Sequence, residues 1–200
     1  MFYNNPSRFR MSTNPDPWLN AKTRHNLRAD EVRSMLQKEI RRDHTENAVM
    51  LAYEMLSTSP AMEELLWHRL LTISVEDVGM GETLAPVIVN SLYQQHRLFK
   101  RSEGDRALLA VHAVRYLCAR KKDRSSDEML NWVKMLDARG KLKPKIKIKD
   151  YAIDMHTKRG MKMGRGFKHF MEVGAKVYPE LPGRDKTYRK RVLKFLNETN

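Results

Sequence analysis

Through the first two thirds of the chain, apolar residues recur at intervals of three and four, the period of helices that bury one face. Val32, Met35, Leu36 and Ile40, with Glu39 in the same stripe, predict a helix from Asp30, its candidate cap, to about Arg42. Thr45 can cap a second helix striped by Ala48, Leu51, Ala52, Met55 and Leu56, which Ser57 to Pro60 breaks. Pro60 suits the first turn of a third, where Met62, Leu65, Leu66, Arg69, Leu70 and Ile73 recur before Gly79 ends it. Val87, Ile88, Leu92 and Leu98 predict a fourth helix from about Thr83. The 105–120 stretch predicts a fifth, apolar on much of its circumference and therefore central. Met129, Trp132, Val133 and Leu136 predict a sixth within 125–137.

The period then changes to two. In KLKPKIKIK, Lys141, Lys143, Lys145, Lys147 and Lys149 alternate with Leu142, Pro144, Ile146 and Ile148, which in an extended chain places every lysine on one face. Pro144 argues against a central strand and predicts an edge or a free extended arm. A Gly- and Met-rich stretch follows, and a last basic helix runs from about Asp185 to Asn197, carrying Lys186, Arg189, Lys190, Arg191 and Lys194. Residues 1–28 read as a polar arm, with Pro6, Pro15 and Pro17, that can pin Trp18 on the body. The expected fold class is all-α: a compact multi-helix bundle over 29–138, the arm before it, and the basic segment, Gly-rich motif and C-terminal helix over 139–200 packed on the same domain. A chain of 200 residues suits one good core better than two full-sized domains.

Charge adds a partner to this picture. A formal net charge of +14 carries a self-repulsion that a polyanion relieves, so nucleic acid is the expected partner, DNA ahead of RNA, with an acidic protein as the other option. No run approaches the roughly 18 apolar residues of a membrane span, and Met1 to Asn20 has no signal-peptide core. A cytoplasmic location, with nucleoid association allowed, and no membrane partner are expected. The single cysteine, Cys118, excludes an internal disulfide and a cysteine-built zinc site, and its apolar setting predicts a buried thiol. No cofactor and no metal are expected.

LQKEIRRDHTENAVMLAYEML followed by ELLWHRLLTISVEDVG resembles the helical C-terminal region of the RarA/MgsA family of replication-associated AAA+ ATPases, over roughly residues 30–135. Arg69, Glu76, Asp77 and Gly79 look like that family's core signature. DYAIDMHTKRGMKMGRGFKHF is similar to a tail of small stand-alone relatives of that region. The resemblance implies an all-helical oligomerising module, a dimer or tetramer here, linked to DNA replication or repair. The chain has no Gly-x-x-x-x-Gly-Lys-Ser/Thr loop, so it carries no phosphate cradle for ATP, and any ATPase would be a separate protein.

The remaining candidates are read from their chemistry. Glu76 and Asp77 near the end of the third helix oppose its dipole, so an ion pair, a cap on a neighbouring helix, a partner or a metal should answer them. From 139 to 168, Lys141, Lys143, Lys145, Lys147, Lys149, Lys158, Arg159, Lys162, Arg165 and Lys168 face only Asp150 and Asp154, which marks the candidate nucleic-acid surface. A lysine-rich edge that resists aggregation is the plain alternative. Gly160, Gly164 and Gly166 beside Lys162 and Arg165 could offer backbone N–H groups to a phosphate, or simply make tight turns. Asp150, Asp154, His156 and Arg165 are the alternative catalytic set, for an enzyme acting on a phosphorylated or nucleic-acid substrate. His68, His96 and His112 read as polar core or surface residues, and Met161, Met163 and Met171 as core filling.

Overall fold

The computed structural model describes residues 16–198. Most of the expected polar arm lies outside them. Among the described residues the chain is all-α, with no strand and one isolated bridge between Lys22 and Arg28. It divides into two compact units at Lys141/Leu142. The expectation of one domain carrying the C-terminal region therefore gives way to two bodies, each with its own contacts.

The first unit contains α1 (Ala29–Arg41), α2 (Thr45–Thr58), α3 (Pro60–Ile73), α4 (Ala85–His96), α5 (Gly104–Cys118) and α6 (Ser125–Ala138). Helices α1 to α5 enclose a continuous core of Leu36, Ile40, Met55, Leu66, Trp67, Leu70, Ile73, Val89, Val114 and Leu117. Trp18 packs half-buried against it, held by a turn over Pro17–Leu19 whose first N–H is capped by Asp16. Cys118 is buried, and burial pushes its thiol pKa up.

Several caps differ from the sequence expectation. Asp30 lies inside α1, where it pairs with Arg28, and Thr45 is the first residue of α2 rather than its cap. Pro60 does open α3, and Ser59 caps it by accepting from the Met62 N–H.

The buried stripe of α4 is Ala85, Val89 and His96, whereas Val87 is 62% and Leu98 82% exposed. Small and polar residues are the fully buried ones there, while Leu92 and Tyr93 pack half-buried beside them against the core. Helix α6 buries only Leu136 and presents Met129, Leu130, Trp132 and Val133 at the surface.

The second unit has little core. It holds α7 (Lys158–Lys162), α8 (Phe167–His169), α9 (Thr187–Glu198) and short turns, with Ile153 its buried hydrophobic side chain. Helix α8 continues into a π turn over Phe170–Gly174, where Phe170 meets His156 edge-on at 4.9 Å and stacks on Phe167 at 6.2 Å.

Candidate nucleic-acid interface

The lysine segment is not one extended face. Pro144 fixes a backbone angle that starts a turn, and Lys143–Lys145 form a single 3-10 turn. Side chains two apart in such a turn are separated by about 240°. Lys143 and Lys145 therefore point differently, and the expected ladder of five becomes a cluster around a bend. Extended backbone resumes at Ile146, and Lys141, Lys143, Lys145, Lys147 and Lys149 are all exposed, as are Ile146 and Ile148. Both sides of the alternation are in solvent, and among the described residues there is no strand whose edge it could protect.

The two carboxylates of the region are already engaged. The Arg165 guanidinium donates from Nη2 to both oxygens of Asp150, at 2.8 and 3.0 Å, and from Nη1 to the Asp150 and Ile153 carbonyls at 3.0 and 2.6 Å. This pairing holds the Asp150 carboxyl below its usual range. Arg165 is thus a clip that closes the turn at Asp150–Ala152, which corrects its expected place among the anion-binding cations. Asp154 accepts the His156 N–H at 3.0 Å, and its backbone carbonyl accepts from the Thr157 N–H and hydroxyl. Thr157 in turn caps α7 at the Gly160 N–H. Asp150 and Asp154 have different partners, and the intervening backbone is not one helix. The four residues of the alternative catalytic set form two pairs, Asp150 with Arg165 and Asp154 with His156, whose Nδ1 lies 3.3 Å from Asp154 Oδ2.

The glycine run serves packing. Gly160 is buried, and a Cβ there would collide with the Asp154 carbonyl. Its N–H is taken by Thr157, and that of Gly164 by the Met161 carbonyl at 3.0 Å. Gly164, with φ +70°, turns the chain so that the Arg165 N–H reaches the Gly160 carbonyl. Two of the three expected phosphate donors are therefore used within the fold. Lys158, Arg159 and Lys162 are left exposed around this knot, with Lys168 half-buried. Met161 and Met163 are exposed rather than core. Among the described residues no group of three His, Cys, Asp or Glu side chains could hold a metal ion.

The signature residues lie in the first unit. After Ile73 the helix widens into a π turn, Ser74–Val78, which buries Ser74, Asp77 and Val78 together. Asp77 is fully buried; its Oδ1 accepts from Arg41 Nε and Arg124 Nη1, both at 2.5 Å, and its Oδ2 from Gln37 Nε2 at 2.8 Å. Glu76 shares Arg41 and Arg124 at 3.6 and 3.1 Å. Of the readings left open for these carboxylates, the ion pair is the one observed. Gly79, φ +49°, ends the turn where the Asp123 carbonyl passes too close for a side chain, and the Asp123 N–H bonds to the Asp77 carbonyl at 2.9 Å. Arg69 donates to Gln37 Oε1 at 3.2 Å.

Sequence reading missed Arg33, Gln37, Arg41 and Arg124. The first three were available as a polar column four residues apart on α1. Arg124, in the approach to α6, carries no such signal. Also missed was Glu63, buried under His96, Arg101 and Arg106, with Arg106 Nε at 2.6 Å.

No protein-family model matches the chain, and no curated protein is significantly similar to it. The resemblance to the RarA/MgsA region rests on its motifs alone. Among the described residues no helix is long and apolar enough to cross a membrane.

Proposed function

We propose that the protein is a non-enzymatic nucleic-acid-binding adaptor that engages phosphates through the second unit's lysine cluster and the cations of α7. The observation that carries this reading is an imbalance. Lys143, Lys147 and Lys149 are exposed and form no ion pair among the described residues, while the nearby carboxylates are engaged by Arg165 and His156. Solvated cations without counter-charge gain most from a polyanion, because each phosphate they neutralise releases condensed counterion. Contact around a bend, with Tyr151 and Phe167 as the rings nearest the cations, favours the backbone over the bases and predicts little sequence preference.

The resemblance to a clamp-loader-related helical region adds a setting: DNA in preference to RNA, a dimer or tetramer built through the first unit, and an ATPase supplied by a separate protein. The decisive experiment is the salt dependence of nucleic-acid affinity. Replacing Lys143, Lys145 and Lys147 together with Gln should flatten the slope of log affinity against log salt by about two to three units. An unchanged slope and affinity would remove the lysine cluster as the site.

A further inference from the structure

Helix α9 buries none of its side chains. A helix of 12 residues is marginal in water on its own, and most helices are held by something packed against one face. Tyr188, Val192, Phe195 and Leu196 give α9 such a face: at about 100° per residue they fall on one stripe. Tyr188 is 71% and Phe195 67% exposed, and Val192 and Leu196 lie half-buried along an open groove against Phe167. By the same count Arg189 borders the stripe on one side and Arg191 on the other, while Lys190 and Lys194 take the far side. Glu198 is the helix's own carboxylate, 3.8 Å from Lys194. In the loop before α9, Val177, Tyr178 and Leu181 are exposed as well. The carboxylates of that loop are engaged locally: Glu180 lies 3.2 Å from Arg184 Nε and 2.5 Å from Lys186 Nζ, and Asp185 accepts the Thr187 N–H at 2.7 Å.

We propose that α9 is a membrane-surface helix, which lies in the interface of a bilayer containing anionic lipid. Its apolar stripe enters the boundary of the acyl chains, and Arg189 and Arg191, at the two borders of the stripe, reach headgroup phosphates on either side. Lys190 and Lys194 add attraction to the negative surface. Charge and apolar exposure together select this occupant. A nucleic acid would engage the cations but leave Val192 and Leu196 in water. A second copy of α9 would set the same cations against one another. A groove in a partner protein reads anchors along one helix face and gives no use to Val177, Tyr178 and Leu181, whereas a bilayer is a plane that takes apolar side chains from a helix and a loop together. The expectation of no membrane partner rests on the missing span, which a helix lying in the interface does not need.

Vesicle flotation of the full, nuclease-treated chain tests this, with phosphatidylcholine alone and with an equal mixture of phosphatidylcholine and phosphatidylglycerol. The protein should float with the mixture and not with phosphatidylcholine alone. A chain of net charge +14 adsorbs to any anionic surface, so insertion is read separately. Trp18, Trp67 and Trp132 all belong to the first unit, and Phe195→Trp places a further indole on the stripe. Brominated acyl chains should quench that variant well beyond the parent. Val192→Ser combined with Phe195→Ser, at two positions that are not buried, should weaken binding roughly tenfold or more. Lys190→Gln combined with Lys194→Gln should weaken it by about fivefold for each charge removed. Quenching of Phe195→Trp should persist when Lys143, Lys145 and Lys147 are replaced with Gln. No flotation with the mixture, no added quenching at Phe195→Trp, a serine pair that binds as the parent does, or quenching lost with the three lysines would overturn the proposal. So would a serine pair that turns an oligomer into a monomer in light scattering, which would give the stripe to a second copy.

Discussion

The two units use the same residue types for opposite ends. In the first, arginines are drawn inward and matched with carboxylates that are almost wholly buried: Asp77 at 0% exposure, Glu63 at 3% and Glu54 at 7%. In the second, lysines stand in solvent around a bend, and Arg165, which is drawn in, closes a turn. A buried ion pair is costly to break from one side, because the surviving charge stays desolvated; an exposed lysine contributes little to stability whichever residue replaces it. Net charge alone therefore misleads. The cations of this chain that shape the fold and those available to a polyanion are separated by burial.

The comparison breaks most readily at Asp77. Asp77→Ala leaves Arg41 with only the more exposed Glu76 and Arg124 with Glu76 and Asp127, and should destabilise the protein by about 3–5 kcal/mol in denaturant unfolding. A loss near zero would mean that the π turn is held by packing alone.

A second prediction uses acid. Glu54 accepts the His25 N–H at 3.1 Å and lies 2.7 Å from His25 Nδ1, and it also receives Arg24 and Thr23. Burial pushes its carboxyl up, but these hydrogen bonds outweigh burial and hold it at about 2 against the usual 4.5. The folded value is the lower one, so the stabilisation is complete above pH 4.5 and is lost as pH falls toward 2. Glu54→Gln should remove part of that acid dependence, as followed by unfolding free energies measured between pH 6 and pH 2, with little further loss at low pH. An acid profile identical to the parent's would place the acid-sensitive contacts elsewhere.

The smallest effect expected is the most useful contrast. The Lys143, Lys145 and Lys147 triple Gln variant should change stability by no more than about 0.5 kcal/mol, in the same assay that registers Asp77→Ala. A large loss would show that the lysine bend is part of the second unit's architecture.

Helix existence and order were legible from periodicity, because α1 to α5 each bury a stripe and Pro60 and Gly79 mark their ends with backbone chemistry that few other residues can supply. Periodicity was less telling about which residues α4 and α6 bury. Ala85, Val89 and His96 pack closely without a strong hydrophobic signature, and the apolar stripe of α6 is mostly exposed. Of the candidate site, the lysines and their exposure could be read directly, since a solvated charge needs no partner. Pro144 was visible too, but only the folded chain showed its 3-10 turn dispersing the lysines.

By itself, then, the sequence determined an all-α chain, the division between apolar-striped helices and a basic tail, and the presence of carboxylates at Glu76 and Asp77 that had to be answered. Tertiary structure decided what answers them. Arg41 comes from 36 residues away and Arg124 from 47, and no local period relates positions so distant. It likewise turned Arg165 from a ligand candidate into a clip and joined Arg69 to the Gln37 amide. Pairing depends on which charges the fold brings within a few ångströms, and burial then sets how much each pair matters.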